Sequence, residues 1–270
     1  MGNRIAKAWP DAIFSEAMIT DKASMLAEID THKPDAVLNA AGVRGRPNVD
    51  WCDEHQMETI LGNTLLPIVL AEACAERGVY LLHMGSGCIY YGDSPQADKA
   101  WREEDFGNPE PTYTRSKYAA DLVLSTLPNV GIARIRMPID QVPSSGNLID
   151  KLASFAKVAD VANSVTIVDD MIDVFHQLIA KKAQGIFHVT NPGTLKFRQL
   201  IALYEELVDP EHHCEWVSDE DLNKAGINKK PRSNNILSSE RLKEIGIHMR
   251  PIDVALRATM EQYAQAKKKL

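Results

Sequence analysis

Short apolar runs alternate with longer stretches in which apolar residues recur at helical spacing. The short runs predict buried strands over 36–41, 79–84, 132–136 and 185–189. The longer stretches predict helices over 63–76, 113–127, 197–207, 239–245 and 251–266. An alternation of strands and helices is typical of a parallel sheet with helices on both faces.

The regular alternation stops near residue 138, where polar loops and less ordered helical segments begin. We therefore predict an α/β protein with a Rossmann-like, doubly wound parallel sheet and a smaller C-terminal substrate-binding cap. The predicted first domain, 1–138, is a dinucleotide-binding unit that is short at its N-terminus. The predicted second segment, 139–270, completes the sheet over about 161–190 and forms the cap.

The beginning of the chain departs from the usual dinucleotide-binding pattern. Such a fold ordinarily opens with a strand and a glycine-rich turn, whose backbone N–H groups hold a pyrophosphate. Gly2 stands where the last glycine of that turn is expected, directly before a helical stretch. The first strand and the preceding glycines are not found. A misassigned start, a genuine truncation and a rearranged fold all fit this pattern.

Composition narrows the classes of partner. The 270 residues carry a net charge of -7, which argues against non-specific binding to nucleic acid or to anionic membranes. No apolar run approaches the ~20 residues of a bilayer span and no signal peptide opens the chain, so we expect a cytoplasmic protein. The four cysteines are scattered, and the His212-His213 pair lacks a spaced acidic partner. We predict neither a disulfide framework nor a metal site.

Three residues predict chemistry. Tyr113 and Lys117 are four residues apart in a predicted helix, so both side chains face one side. A phenol has an ordinary pKa of about 10, and a nearby ammonium group favours its ionised form. Ser86 follows a predicted central strand, at the carboxyl end where α/β sheets bind ligands. Together they predict a proton-donating site for reducing a carbonyl; the structural alternative is a surface helix and a turn serine.

These residues resemble a known family. Asn39-Ala40-Ala41-Gly42, Ser86, Tyr113 and Lys117 match the extended short-chain dehydrogenases that act on nucleotide sugars. A closer resemblance, to the plant UDP-4-keto-6-deoxyglucose 3,5-epimerase/4-reductases, rests on segments 39–52, 87–89, 134–139, 190–193 and 231–235. The resemblance extends over most of the chain from about residue 20, and 45–52 and 231–235 are its most specific segments.

The resemblance implies NADPH or NADH as the cofactor. Asp21 is expected at the adenine edge, the turn Ala40-Ala41-Gly42 against the cofactor, and Asn63 as an organiser of the site. Lys117 is expected to lower the pKa of Tyr113 and to hold the nicotinamide ribose. Gly2 and Tyr113 complete the predicted cofactor contacts. Segment 14–19 carries neither a clear ribose-binding acid nor an arginine, so the choice between the two cofactors stays open.

The implied substrate is a nucleotide-diphosphate sugar. Its predicted contacts lie in the specific segments, with basic residues suited to a diphosphate: Arg46, Asn48, Arg232 and Asn234, with Arg44 and Lys230 as further candidates. Cys88 and Lys151 match the base and acid of bifunctional epimerase/reductases. The alternatives are a small buried thiol for Cys88 and a solvated helix cation for Lys151.

The expected function is NAD(P)H-dependent reduction of a 4-keto-6-deoxy nucleotide sugar, with or without 3,5-epimerisation, in rhamnose-type deoxysugar synthesis. A non-catalytic regulatory or nucleotide-binding subunit with the dehydrogenase fold is one alternative. A truncated, unstable chain is another. The nucleotide base and a possible homodimer are left open.

Overall fold

A computed structural model of the chain describes residues 1–15, 21–46, 48–218, 220–221 and 232–269. The α-helices are α1 (Gly2–Ala8), α2 (Lys22–His32), α3 (Trp51–Glu54), α4 (Gln56–Ile60), α5 (Leu66–Glu76), α6 (Thr112–Leu124), α7 (Leu148–Ala153), α8 (Val168–Lys181), α9 (Phe197–Leu207), α10 (Glu240–Glu244) and α11 (Ile252–Lys267). The strands are β1 (Ala36–Asn39), β2 (Tyr80–Ser86), β3 (Ala100–Trp101), β4 (Val130–Ile135), β5 (Pro138–Ile139), β6 (Lys157–Ala159), β7 (Ala162–Asn163), β8 (Thr166–Ile167), β9 (Gly185–Val189), β10 (Leu195–Lys196), β11 (Glu215–Val217) and β12 (Ile236–Leu237).

The chain forms two compact units whose segments interleave along the sequence. The first unit contains Met1–Ile89, Gly107–Arg134 and Phe175–Phe187, and the second contains Tyr90–Phe106, Ile135–Val174 and His188–Leu270. The predicted boundary near 138 lies close to the crossing at 134/135, and the chain also crosses between the units at 89/90, 106/107, 174/175 and 187/188. Residues 90–106 belong to the second unit because β3 pairs with β12. Residues 175–187 return to the first unit and lead into its last strand, β9.

The first unit is built on a four-stranded sheet with the order β1-β2-β4-β9. Strands β1 and β2 are parallel, in a register that runs from Ala36 opposite Tyr80 to Asn39 opposite His83. The predicted α/β class is therefore confirmed. Strand β2 extends two residues beyond its predicted end, so Ser86 is its last residue. A central strand of a parallel sheet thus delivers the predicted serine at its carboxyl end.

Helices α2, α5 and α6 cover this sheet. Their apolar residues share one core with the strands, formed by Met25, Ile29, Leu70, Ala71, Ala73, Cys74, Leu81, Ala120, Leu124, Val130 and Ile132. Because α6 packs against β2, it brings the face that carries the predicted Tyr and Lys towards the end of that strand.

One helical stretch, Gln56–Glu76, is long and apolar enough to cross a membrane by length and composition, with a mean hydropathy of 1.2 over its best window. The sequence pattern predicted a helix only over 63–76 of this stretch. Its second half packs as a core helix does: Leu70, Ala71 and Cys74 are buried against the sheet of the first unit. Between α4 and α5 the stretch contains a π-helical turn, Leu61–Leu65.

The second unit combines two-stranded pairs with helices α7, α9 and α11. The strand pairs are β3–β12, β5–β8, β6–β11 and β7–β10. Asn191, in the segment 190–193, joins β8 to the chain just before α11. Its Oδ1 accepts the Ile167 N–H at 2.7 Å, and its amide donates to the carbonyl of Arg250 at 3.0 Å. This specific segment therefore has a structural role.

We predict that Gly131→Ala destabilises the first unit. An added Cβ would lie 2.5 Å from the Ala183 carbonyl oxygen and closer still to the Tyr80 hydroxyl, two groups that hydrogen bond at 2.6 Å. Crowding of this kind costs about 1–3 kcal/mol. Chemical denaturation measures the loss. Tyr80→Phe, which removes the hydrogen bond without the clash, should cost less; an equal or larger loss in that control would contradict the account.

Candidate active site

The first turn of α6 is held by a carboxylate from outside the helix. Pro111 at its N-cap provides no side-chain cap. Asp53, on α3, instead accepts the Thr112 N–H at 2.9 Å and the Thr112 hydroxyl at 2.8 Å. A carboxylate at a helix N-terminus satisfies an orphan donor and interacts favourably with the helix dipole. The next residue, Tyr113, is therefore presented from a fixed end of the helix.

Ser86 and Tyr113, both in the first unit, lie close enough together for the Ser86 side chain to lower the pKa of the phenol through a hydrogen-bonding interaction. The ring of Tyr113 is partly buried, and this burial is the larger effect: it raises the pKa of the phenol. The phenol is therefore kept as a proton donor. The Ser86 hydroxyl also accepts the Cys88 N–H at 3.2 Å. The predicted serine and tyrosine thus form one hydroxyl pair at the end of β2.

Lys117 lies one helical turn after Tyr113 and is buried. Its Nζ donates to the Met84 carbonyl of β2 at 3.0 Å. Burial lowers the pKa of Lys117 to about 8, while the nearby Asp121 carboxylate raises it. Lysine is not among the groups that shift the pKa of Tyr113; the cation that lowers it is Arg44. The predicted effect of Lys117 on the phenol therefore stays a prediction.

Asn63 clamps two elements of the site together. Its Oδ1 accepts the Val43 N–H at 2.8 Å, and its amide donates to the Val43 carbonyl at 2.7 Å and to the Ser116 hydroxyl at 3.2 Å. The π-helical turn carries this side chain, as such turns often do at functional sites. An added Cβ at Gly42 would lie 3.0 Å from Asn63 Oδ1 and 3.5 Å from Lys117 Nζ. Gly42, Asn63 and Lys117 therefore surround one small space.

Two buried residues that were not predicted as site residues, Asn39 and His83, organise the turn after β1. Asn39 Oδ1 accepts the Ala41 N–H at 3.1 Å, and the Asn39 amide lies 3.1 Å from His83 Nδ1. Because the amide nitrogen donates, His83 Nδ1 accepts and the ring carries its proton on Nε2. Burial, followed by the Lys117 charge, holds the pKa of His83 well below its ordinary value, so the ring is neutral.

The loop after this turn forms a cavity of about 370 Å³ lined by Gly42, Val43, Arg44, Gly45, Arg46 and Trp51. Gly45 has a φ of +71°, and an added Cβ would lie 2.7 Å from the Asn48 carbonyl oxygen. Asn48 Oδ1 accepts the Asp50 N–H at 2.8 Å, which closes the same loop. Gly45 and Asn48, from the specific segment 45–52, thus help to shape the loop around two exposed arginines, Arg44 and Arg46.

Two further predicted cofactor contacts, Gly2 and Asp21, lie outside the group of residues around Lys117. Gly2, at the start of α1, lies near the turn: its added Cβ would be 3.9 Å from the Cβ of Ala40. Asp21 caps α2 by accepting the Ser24 N–H at 2.9 Å and is exposed. Its expected contact with adenine stays a prediction beside this observed capping role.

The remaining predicted site residues belong to the second unit. Lys151 lies on α7 and is half-buried. Asn234 Oδ1 accepts from the Asn163 amide at 3.2 Å, and the buried Arg136 guanidinium donates to Asn163 and to Ser233. Much of segment 232–235 is thus tied into a buried hydrogen-bond network. Lys230, like Pro47 and Pro231, lies outside the described residues, and no cluster of metal-ligating side chains occurs in the described part.

Comparison with known sequences gives consistent matches. A family model described as RmlD substrate binding domain matches residues 10–265. The bifunctional dTDP-4-dehydrorhamnose 3,5-epimerase/dTDP-4-dehydrorhamnose reductase of Arabidopsis thaliana is 34% identical over 235 residues, covering 85% of this chain and 77% of that protein. A trifunctional UDP-glucose 4,6-dehydratase/UDP-4-keto-6-deoxy-D-glucose 3,5-epimerase/UDP-4-keto-L-rhamnose-reductase of the same plant is 31% identical. That match covers 86% of this chain and 35% of the relative, so the chain spans about a third of its length.

Solved structures show the same fold. The crystal structure of a UDP-rhamnose synthase from Acanthamoeba polyphaga mimivirus aligns with a TM-score of 0.87 and 26% identity, covering 97% of this chain and 94% of that one. A dTDP-4-dehydrorhamnose reductase from Bacillus anthracis, solved in complex with NADP, aligns with a TM-score of 0.81 and 17% identity, covering 96% and 92%.

We predict that Lys117→Met stabilises the folded protein at pH 7. The unfolded lysine keeps its proton up to its ordinary pKa of 10.5, whereas the folded one loses it at about 8. The unfolded state therefore binds more protons between these values, and wild-type stability rises with pH there. The gain from the substitution should be about 1–3 kcal/mol below pH 8 and should fade towards pH 10.5.

Chemical denaturation at several pH values measures this difference. The matched control is Lys181→Met, which removes an exposed lysine and should give no comparable gain at pH 7. Two results would contradict the idea that burying the ammonium group destabilises the folded protein. One is a lower free energy of unfolding for Lys117→Met than for wild type at pH 7, and the other is a difference in that free energy that is the same at every pH.

Proposed function

The chain belongs to the family of RmlD substrate-binding domains, and on this basis we propose that it reduces the 4-keto group of a 4-keto-6-deoxy nucleotide sugar with NAD(P)H. The observation that carries the proposal is the Ser86–Tyr113 hydroxyl pair with the buried Lys117 one turn away. One relative is named as a reductase of a dTDP-linked sugar and another as a reductase of a UDP-linked sugar. We therefore propose a nucleoside-diphosphate sugar as the substrate and leave its base open.

The residues around Lys117 fit the ribose and nicotinamide end of such a cofactor. A lysine ammonium has three donors, and the described residues accept one hydrogen bond from Nζ, at Met84. The remaining donors suit ribose hydroxyls. Gly42 has no side chain, so its backbone leaves room beside this group. Solved relatives of low identity contain NADP or NADPH, and we propose NADPH or NADH here.

In the proposed reaction, NAD(P)H held beside Lys117 and Gly42 would provide the hydride that reduces C4 of the sugar. Tyr113 donates its phenolic proton to the carbonyl oxygen, so the C=O bond becomes C–OH and the phenolate remains. Ser86 hydrogen bonds to the same oxygen and polarises the carbonyl. The Lys117 ammonium stabilises the phenolate until a solvent proton restores the phenol.

The loop cavity supports a contact with the anionic part of the substrate. Arg44 and Arg46 line it, and Arg44 is close enough to lower the pKa of Tyr113. Guanidinium groups suit diphosphate oxygens. We assign Arg46 and Asn48 in the first unit, and Arg232 and Asn234 in the second, to substrate binding. A cytoplasmic location and a homodimer remain predictions.

A second activity, 3,5-epimerisation, is favoured by the place of Cys88. Its thiol is half-buried, is not in a disulfide, and acts on Tyr113 by raising the pKa of the phenol. In the proposed step, the Cys88 thiolate removes a proton beside the 4-keto group and Lys151 is the partner acid that returns a proton. A thiolate in this place would also keep Tyr113 protonated until reduction.

The reductase proposal predicts that the protein oxidises NADPH when given UDP-4-keto-6-deoxyglucose. Tyr113→Phe should lower kcat by about 10²–10⁴-fold, because it removes the general acid. Tyr118→Phe is the matched control: this ring lies on the same helix, and its hydroxyl accepts the Gly107 N–H at 2.9 Å. The control should keep kcat within a few-fold.

Steady-state kinetics on folded proteins decide the outcome. Full activity in Tyr113→Phe would remove the phenol from the mechanism. NADPH binding without turnover on any 4-keto sugar would favour a regulatory or nucleotide-binding subunit instead.

The epimerase proposal predicts deuterium incorporation at C3 and C5 of the 4-keto sugar in heavy water before NADPH is added. Cys88→Ala should abolish this exchange while reduction of an already epimerised substrate continues. Cys214→Ala is the control, since that thiol is also half-buried and outside any disulfide but belongs to the second unit. Mass spectrometry follows the label; exchange that survives in Cys88→Ala excludes this cysteine as the base.

A further inference from the structure

A buried ion pair lies behind Lys117, on the side away from Tyr113. Asp121 Oδ2 accepts from Arg134 Nε at 2.8 Å, and the two side chains are 0% and 1% exposed. Asp121 follows Lys117 by one helical turn on α6, so both project from the same face of the helix. The carboxylate is thus a neighbour of the buried ammonium group.

Arg134 hydrogen bonds to one of the two carboxylate oxygens of Asp121, Oδ2. Asp121 Oδ1 has no hydrogen-bond partner among the described residues. It lies against β2, because an added Cβ at Gly85 would be 3.1 Å from it. The preceding residue of the strand, Met84, accepts the hydrogen bond from Lys117. The free carboxylate oxygen and the ammonium group therefore face the same short piece of strand.

Few other charges act on this ammonium group. On β2, His83 is neutral because it is fully buried. The π-helical turn contributes the uncharged Asn63, and α6 contributes the phenol of Tyr113. Arg134, on β4, is paired with Asp121. The charge that acts on Lys117 is that of Asp121.

We propose that Asp121 is a positioning residue of the reductase site, which keeps the buried Lys117 ammonium charged beside the phenol. A structural ion pair would satisfy Arg134 and nothing more. Here the unpaired oxygen offsets part of the cost of burying a second cation nearby. The effect of Asp121 on Lys117 is expected in the ligand-free protein. Only the effect of Asp121 on activity rests on the proposed reductase function.

The test is the titration of Lys117 in the ligand-free protein, measured by NMR with lysine labelled with ¹³C at the ε carbon. The signal is assigned by its loss in Lys117→Met. Wild-type Lys117 should titrate near pH 8. In Asp121→Asn the midpoint should fall by about 1–3 pH units, because an attractive charge is removed and the Arg134 cation is left uncompensated.

A double variant separates this role from a structural one. Asp121→Asn/Arg134→Met removes both charges, so no cation is left buried without a partner. Such replacements of whole buried pairs are often tolerated. The Lys117 midpoint should lie between those of Asp121→Asn and wild type. If the carboxylate only holds Arg134 in place, the double variant should instead titrate as wild type does, and this result would overturn the proposal.

Activity provides the second readout. The proposed mechanism needs charged Lys117, so kcat should fall as pH rises through its pKa, and this alkaline limb should move to lower pH in Asp121→Asn by the same interval. A shifted NMR titration in a protein without reductase activity would refute the proposed function but support the role of Asp121. An unshifted titration in an active enzyme would do the reverse.

Discussion

The burial of the Lys117 ammonium group between α6 and β2 is the constraint on which the site depends. A charge taken out of water must be compensated by hydrogen bonds and opposite charges. The Met84 carbonyl and the Asp121 carboxylate provide this compensation. Because Met84 is two residues before Ser86, the bond that compensates the lysine also fixes α6 to the end of β2. Tyr113 and Ser86 then meet as a consequence.

Polar side chains, rather than apolar packing alone, hold the surrounding loops in position. Asn63 joins the loop after β1 to α6, and Asp53 holds the first turn of α6. Asn39 and His83 fix the turn at Ala41. Their hydrogen bonds run to backbone groups, to the Thr112 and Ser116 hydroxyls and, between Asn39 and His83, to one another. Buried polar networks of this kind favour a single arrangement, which a site for proton transfer requires.

The sequence pointed to the residues that meet at the end of β2 better than to the residues that hold them in place. Tyr113 and Lys117 were found because helical spacing is a local property, and Ser86 because a strand end is a local signal. Asp121 was missed although it repeats the same spacing from Lys117, because only the fold shows that both are buried. The amphipathic helix α8 was also missed. Segments 190–193 and 231–235 were specific family matches, but only the fold shows that Asn191 and Asn234 hydrogen bond to protein groups.

The most direct test of the central claim traces the hydride itself. The protein is incubated with UDP-4-keto-6-deoxyglucose and NADPH that carries deuterium on the transferable position of the nicotinamide, and the product is analysed by NMR. The account predicts a 6-deoxy sugar nucleotide with deuterium at C4, formed in equal amount to the oxidised cofactor. A C4 hydrogen that comes from solvent, or no product from a folded protein that binds both compounds, would contradict it.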